Sequence, residues 1–214
     1  MQFFFEVLIG GLLSGVMYAL VALGFVLIYK ASGVFNFAQG AMVYFAALAV
    51  AGFLDKGAPL WLALILAFVV MTLFGIATEK FVLRKMVNQA PIALFMATIG
   101  LTFVLEGLAP LLFGNDVRPL DLGLVDEPIP AILDKFNIVV SRFDLAAAGI
   151  AAVLVAALAL FFQYTRVGRA LRAVADDHQA ALSIGIPLQH IWALVWTVAG
   201  FVALVAGMLW GSRN

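Results

Sequence analysis

The sequence predicts an all-α fold, a polytopic transmembrane helical bundle of about six spans, and three observations carry that reading. Hydrophobic residues fill 65% of the 214 positions while charged residues fill only 11%. Mean hydropathy is +1.14, outside the range of soluble domains. Charge-free apolar runs of the length that crosses a hydrocarbon core, about 20 residues for about 30 Å, recur along the whole chain. The ten-residue alternation of a membrane barrel is absent, which leaves helices as the spanning elements.

The runs in order are residues 7–29, 31–54, 57–78, 86–105, 145–165 and 191–212. In the first, Gly11, Gly15 and Ala19 recur every fourth residue, and such a small-residue face favours close helix packing. The second begins after Lys30, and the third follows a short turn, residues 55–59. The fourth holds Thr98, Gly100 and Thr102, with Gly107 just beyond it and Pro110 placed to bend its outer end. The fifth and sixth flank a polar, arginine-bearing stretch, residues 165–187.

Basic residues near span ends set orientation. Lys30, the cluster Lys80, Arg84 and Lys85, and the cluster Arg166, Arg169 and Arg172 fall on one side if all six runs cross, and that side is expected to be cytoplasmic. The outer loop, residues 115–144, then carries Asp116, Asp121, Asp126, Glu127, Asp134 and Asp144 against Arg118, Lys135 and Arg142. Pro119, Pro128 and Pro130 make it irregular, with one short helix expected before Asn137. Residues 1–214 read as a single transmembrane domain, without internal repeat or linker.

Several function classes drop out. Twelve basic and twelve acidic residues leave no net charge, so there is no electrostatic footprint for nucleic acid. Cysteine is absent, which removes disulfides and thiolate metal sites. His178 and His190 are the only histidines and lack partners at metal-ligand spacing, so no metal is expected. No nucleophile signature or phosphate-binding loop occurs, so the chain has no catalytic residues and no cofactor, and it does not hydrolyse ATP itself. No basic segment precedes the first apolar run, so that run is expected to remain as a span.

Three local features bear chemistry. Asn36, placed to cap a helix, and Gln39, at its third position, form a variant of the capping box. The stretch is either an ordinary cytoplasmic turn or the start of a discontinuous helix whose free amides serve a substrate. Glu106 sits within an apolar run, where an ionised carboxylate costs about 3 kcal/mol. It is therefore expected to face protein or a watery cavity, as a pathway residue or as a carboxylate satisfied by a neighbour. Glu6 and Glu79, at span ends, read as interfacial. Arg169 and Arg172, three apart, share one helical face, as a docking surface or as a solvated basic loop.

The stretch from Gly168 through Arg169, Ala170, Leu171, Arg172 and Ala173 to Asp177, followed by Ala180 to Gly185, Ile186 and Pro187, resembles the cytoplasmic coupling loop of ABC importer permeases. More narrowly, it is similar to the branched-chain amino acid permease family, as are the stretch from Asn36 to Ala41 and Ala97-Thr98-Ile99-Gly100-Leu101. The resemblance implies a coupling segment at residues 166–188, with Arg169, Arg172, Ala173, Ala181 and Gly185 meeting an ATPase. It also points to Asn36, Gln39, Thr98, Gly100 and Glu106 along the substrate path. The partners it implies are cytoplasmic ATPase subunits, a second permease subunit, an extracytoplasmic solute-binding protein and the lipid bilayer of the bacterial inner membrane. Gly185 and Pro187 are expected to end the coupling helix. Members of that family carry about two further spans, so the chain is expected to be an incomplete family domain. An autonomous secondary transporter or channel, coupled through Glu106, and a non-transporting truncated fragment are the alternatives.

Overall fold

The structure, a computed structural model, describes residues 2–33, 35–86, 89–114, 120, 127–130, 133, 138–177, 181, 183, 185 and 188–213. The helices are α1 (Gln2–Ser32), α2 (Gln39–Asp55), α3 (Leu60–Phe81), α4 (Pro91–Phe113), α5 (Arg142–Tyr164), α6 (Arg166–Asp176) and α7 (Leu188–Gly211), with a 3₁₀ turn at Leu83–Met86. Five of them, α1, α3, α4, α5 and α7, are long and apolar enough to cross a membrane, and α2 is a shorter apolar helix.

Helix α7 is the centre of the bundle. It packs against α3, α1 and α2, and small residues let the backbones meet. A Cβ on Gly75 of α3 would lie 3.0 Å from the backbone of Trp196 and Thr197, and one on Gly207 would press on the Val43 carbonyl of α2. Trp196, fully buried, fills the space beside these crossings. At one end Trp192 donates its indole N–H to the Ala31 carbonyl at 3.1 Å, fixing α7 to the end of α1. At the other, Arg213 reaches Ser14 on α1 at 3.2 Å and Asp144 on α5 at 3.6 Å.

The loop between α4 and α5 is described only in part. Leu120 is buried, donates its amide to the Gly211 carbonyl and lies over Gly211. Pro128 and Ser141 form an isolated antiparallel bridge, and Ser141 caps α5 through the Asp144 amide at 3.2 Å. Asp116, Arg118, Pro119, Asp121, Asp126, Asp134 and Lys135 lie outside the described residues, as does most of the short helix expected before Asn137.

Four expectations need correction. The second apolar run is not one span: Ala31 and Ser32 finish α1, and helix resumes only at Gln39. The small-residue face of α1 packs on nothing among the described residues, since Gly11, Gly15 and Ala19 are exposed and a Cβ on either glycine would meet no atom within 4 Å. Glu79 is not interfacial. It is 2% exposed and held by Arg84 in a fork, with bonds of 3.0 and 2.8 Å, because the 3₁₀ turn folds the chain back over the end of α3. Finally, the polar stretch is not one helix up to Gly185: α6 ends at Asp176, where Asp177 is extended at φ −154 and ψ 110, and Ala181 and Ser183 are helical again before Gly185. Pro187 lies outside the described residues, and Gly185 takes a positive φ of 82 that suits glycine.

Candidate functional site

The first site lies where α1 gives way to α2. Gln39, at the start of α2, presses its side chain against Gly24 of α1, where any Cβ would overlap it. Gly24 is two turns inside the end of α1, roughly 12 Å at 1.5 Å per residue. Helix α2 therefore starts alongside α1 rather than beyond its end. α2 itself is a helix of only 17 residues. Its far end still reaches the far end of α4, where Phe113 lies on Gly52. Irregular backbone at membrane depth is tolerated only where protein or a cavity surrounds it.

The surroundings satisfy most of it. Thr98 of α4 accepts from the Phe37 amide at 3.2 Å, which pins the segment to α4, and its single hydroxyl proton faces the Phe95 carbonyl at 2.8 Å and the Phe35 carbonyl at 3.3 Å. The Asn36 Oδ1 accepts from the Ala38 amide at 3.1 Å, and its Nδ2 lies 3.4 Å from both Gln39 Oε1 and Met42 Sδ. Such a local Asx turn replaces the expected capping box. The N-cap residue is Ala38, which has no side-chain cap, and Gln39 stands at the first helical position rather than the third.

Two kinds of donor remain. Gln39 Nε2 is buried without a partner. The amides of Gly40 and Ala41, at the positive end of α2, make no backbone hydrogen bond among the described residues. Gly40 is exposed and Ala41 is buried beside it. Beside the break, Ile28, Ser32, Leu83, Leu94, Thr98, Trp192 and Trp196 line a cavity of about 20 Å³, the size of one water.

The structure thus joins Asn36, Gln39 and Thr98 and leaves two other candidates apart. Gly100 is exposed on α4, two residues beyond Thr98 and turned away from it. Glu106 is exposed on the same helix, while Leu101, Leu105 and Ala109 form the buried stripe. Pro110, inside α4, has no N–H to give the Glu106 carbonyl.

The second site is the elbow between α5 and α6. Thr165 interrupts the helix with an extended ψ of 159, and its hydroxyl accepts from the Gly168 amide at 3.0 Å as the N-cap of α6. The break strands the last carbonyls of α5. Arg172 donates to the carbonyls of Phe162 at 2.5 Å and Gln163 at 3.3 Å, and Arg169 donates to that of Tyr164 at 3.3 Å. Gly168 lies so close to Phe162 that a Cβ there would overlap its carbonyl. Leu171 and Val174 turn inward, while Arg169, Arg172, Ala175, Asp176 and Asp177 are exposed. The helix is thus amphipathic and packs on α1, α5 and α7.

Of the expected coupling residues, Arg169 and Arg172 are exposed, Ala173 is half-buried and Gly185 is exposed. Ala181 is only 1% exposed and belongs to the core, which removes it from any docking face. The neighbouring Ala180, Leu182, Ile184 and Ile186, together with His178, lie outside the described residues. The carbonyl caps were not legible in the sequence, since arginines five and eight residues beyond the end of α5 share a face without showing which way it turns. Among the described residues no three His, Asp or Glu side chains converge as metal ligands would.

Known proteins are similar to this chain in sequence. The family described as branched-chain amino acid transport system / permease component matches residues 7–213. The high-affinity branched-chain amino acid transport system permease protein LivH of Escherichia coli (strain K12) is 26% identical over 223 residues, covering 98% of this chain and 71% of the relative. The corresponding protein BraD of Pseudomonas aeruginosa is 26% identical over 220 residues, again 98% of this chain and 71% of the relative. The fructose import permease protein FruF of Bifidobacterium longum is 23% identical over 191 residues, 89% of this chain and 51% of the relative. No solved structure matches the chain.

Proposed function

The chain belongs to the branched-chain amino acid transport system permease family, and from that premise we propose that it is the permease subunit of an ATP-driven importer carrying branched-chain amino acids across the bacterial inner membrane. The observation that supports this reading best is α6, an 11-residue amphipathic helix set off from α5 by Thr165 at the basic end of the bundle. A short surface helix packed on α1, α5 and α7 is built to receive a push and pass it to three spans at once. In this reading the basic end is cytoplasmic, ATPase subunits dock along residues 166–188, and an extracytoplasmic binding protein delivers solute to the opposite end.

The break before α2 supplies the substrate contact. An amino acid carries a carboxylate, and the unbonded amides of Gly40 and Ala41 at the positive end of a membrane-embedded helix are its complement. Asn36, Gln39 and Thr98 hold that helix end in place.

The experiment is capture of co-expressed candidate ATPase subunits by the tagged chain in detergent, with and without residues 166–177. Capture by the intact chain alone supports the reading; equal capture by both chains, or by neither, defeats it. Glu106, exposed within an apolar helix, favours a second reading as an ion-coupled carrier. That reading predicts uptake without any ATPase, abolished by Glu106→Gln.

A further inference from the structure

We infer that Arg169 and Arg172 act inside the chain, as a strut that locks α6 to the end of α5, rather than as contacts to an ATPase. The inference deepens the reading of α6 as a coupling helix and rests on it for the docking half of its test.

When α5 stops at Tyr164, the carbonyls of Phe162, Gln163 and Tyr164 lose the amides that would have followed in a continuous helix. All three are taken up by guanidinium N–H groups: Arg172 serves Phe162 and Gln163, and Arg169 serves Tyr164. The Phe161 carbonyl accepts from the Thr165 amide at 3.1 Å and from the Thr165 hydroxyl at 2.6 Å. On the other side of the break, the Gly168 amide goes to the Thr165 hydroxyl and the Arg169 amide to the Thr165 carbonyl. Guanidinium charge also suits the negative end of α5.

The planar fork of Arg172 explains why an arginine stands there. It spans two consecutive carbonyls with two nitrogens, which a lysine ammonium does with less rigidity. Gly168 completes the joint, since only a residue without Cβ lets α6 lie this close to the Phe162 backbone. With both arginines engaged on α5, the exposed residues of α6 left for a partner are Arg166 at its start and Ala175 and Asp176 at its far end.

Charge reversal cannot separate the two roles, because glutamate would break the strut and repel an acidic partner or attract a basic one at once. Neutral truncation can. Amide hydrogen exchange across residues 166–176 is measured in detergent for the wild type, Arg169→Ala plus Arg172→Ala, and Arg172→Lys, and each chain is then tested for capture of co-expressed ATPase subunits.

The strut predicts exchange at least tenfold faster in α6 of the double variant, with α3 and α7 still protected, an intermediate value for Arg172→Lys, and capture within twofold of wild type. Unchanged exchange in α6, or loss of capture from the double variant, overturns the inference. If the double variant unfolds altogether, the exchange of Arg172→Lys decides in its place. Absence of capture by the wild type counts against the permease reading, and the exchange result then decides the strut by itself.

Discussion

Arg172 Nη1 lies 2.5 Å from the carbonyl oxygen of Phe162, ten residues earlier on a different helix. That bond holds α6 folded back beside the span from which it departs, and Gly168 provides the space. Gly168→Ala would drive a Cβ into the Phe162 carbonyl, so the elbow must open. The expected cost is about 1–3 kcal/mol, the usual range for overpacking, read as a lower unfolding midpoint in detergent. A midpoint equal to wild type would show that the elbow is looser than the structure has it.

The contact between Gly24 and Gln39 predicts a non-additive pair. Gly24→Ala alone collides with the Gln39 side chain and loosens the start of α2. Combined with Gln39→Ala, the same substitution finds room. A double-mutant cycle on unfolding free energy is expected to give a coupling of about 1–3 kcal/mol, with the double variant more stable than Gly24→Ala. Simple additivity would place Gln39 elsewhere.

The fork between Glu79 and Arg84 predicts an asymmetry. Removing Arg84 alone leaves a carboxylate in a site where it is 2% exposed, whereas Glu79→Gln plus Arg84→Ala leaves no charge behind. Breaking one side of such a pair leaves the other charge uncompensated, and solvent around Arg84, 43% exposed, moderates the cost. Thermal denaturation should therefore rank Arg84→Ala below the double variant. The opposite order would mean that Glu79 has another partner.

Trp192→Phe keeps the ring's bulk and removes the N–H that reaches the Ala31 carbonyl. The expected loss is about 1 kcal/mol, the net worth of one buried hydrogen bond, with protease cutting at residues 31–38 as the local readout. Stability and cutting rate both equal to wild type would dismiss the anchor.

Much of the bundle was legible in the sequence because hydropathy reports a solvent, and lipid imposes its thickness on every crossing. The helices at Leu60–Phe81, Arg142–Tyr164 and Leu188–Gly211 follow the apolar runs to within a few residues. The start of α2 beside α1 was not legible. Ala31, Ser32 and Phe35 are as apolar in pattern as a continuing helix, and only the tertiary contact of Gln39 with Gly24 shows that the chain turns back. Asn36, Gln39 and Thr98 were found as polar exceptions in apolar stretches, a signal that identifies residues without saying that they meet. Glu79 was misplaced because proximity to a span end looks the same whether the chain leaves the bilayer or folds over. Arg169 and Arg172 share a face by spacing, yet which way that face turns depends on the angle at Thr165, which no local pattern encodes.

The central claim, a permease driven by a separate ATPase, is tested most directly by leucine uptake into proteoliposomes. These hold the chain, its partner permease and ATPase subunits, and a solute-binding protein on the outside. The account predicts leucine accumulation that requires enclosed ATP, stops when the ATPase is replaced by a hydrolysis-deficient form, and is not matched by fructose. Accumulation driven by an ion gradient without ATP, or of fructose in place of leucine, would contradict it.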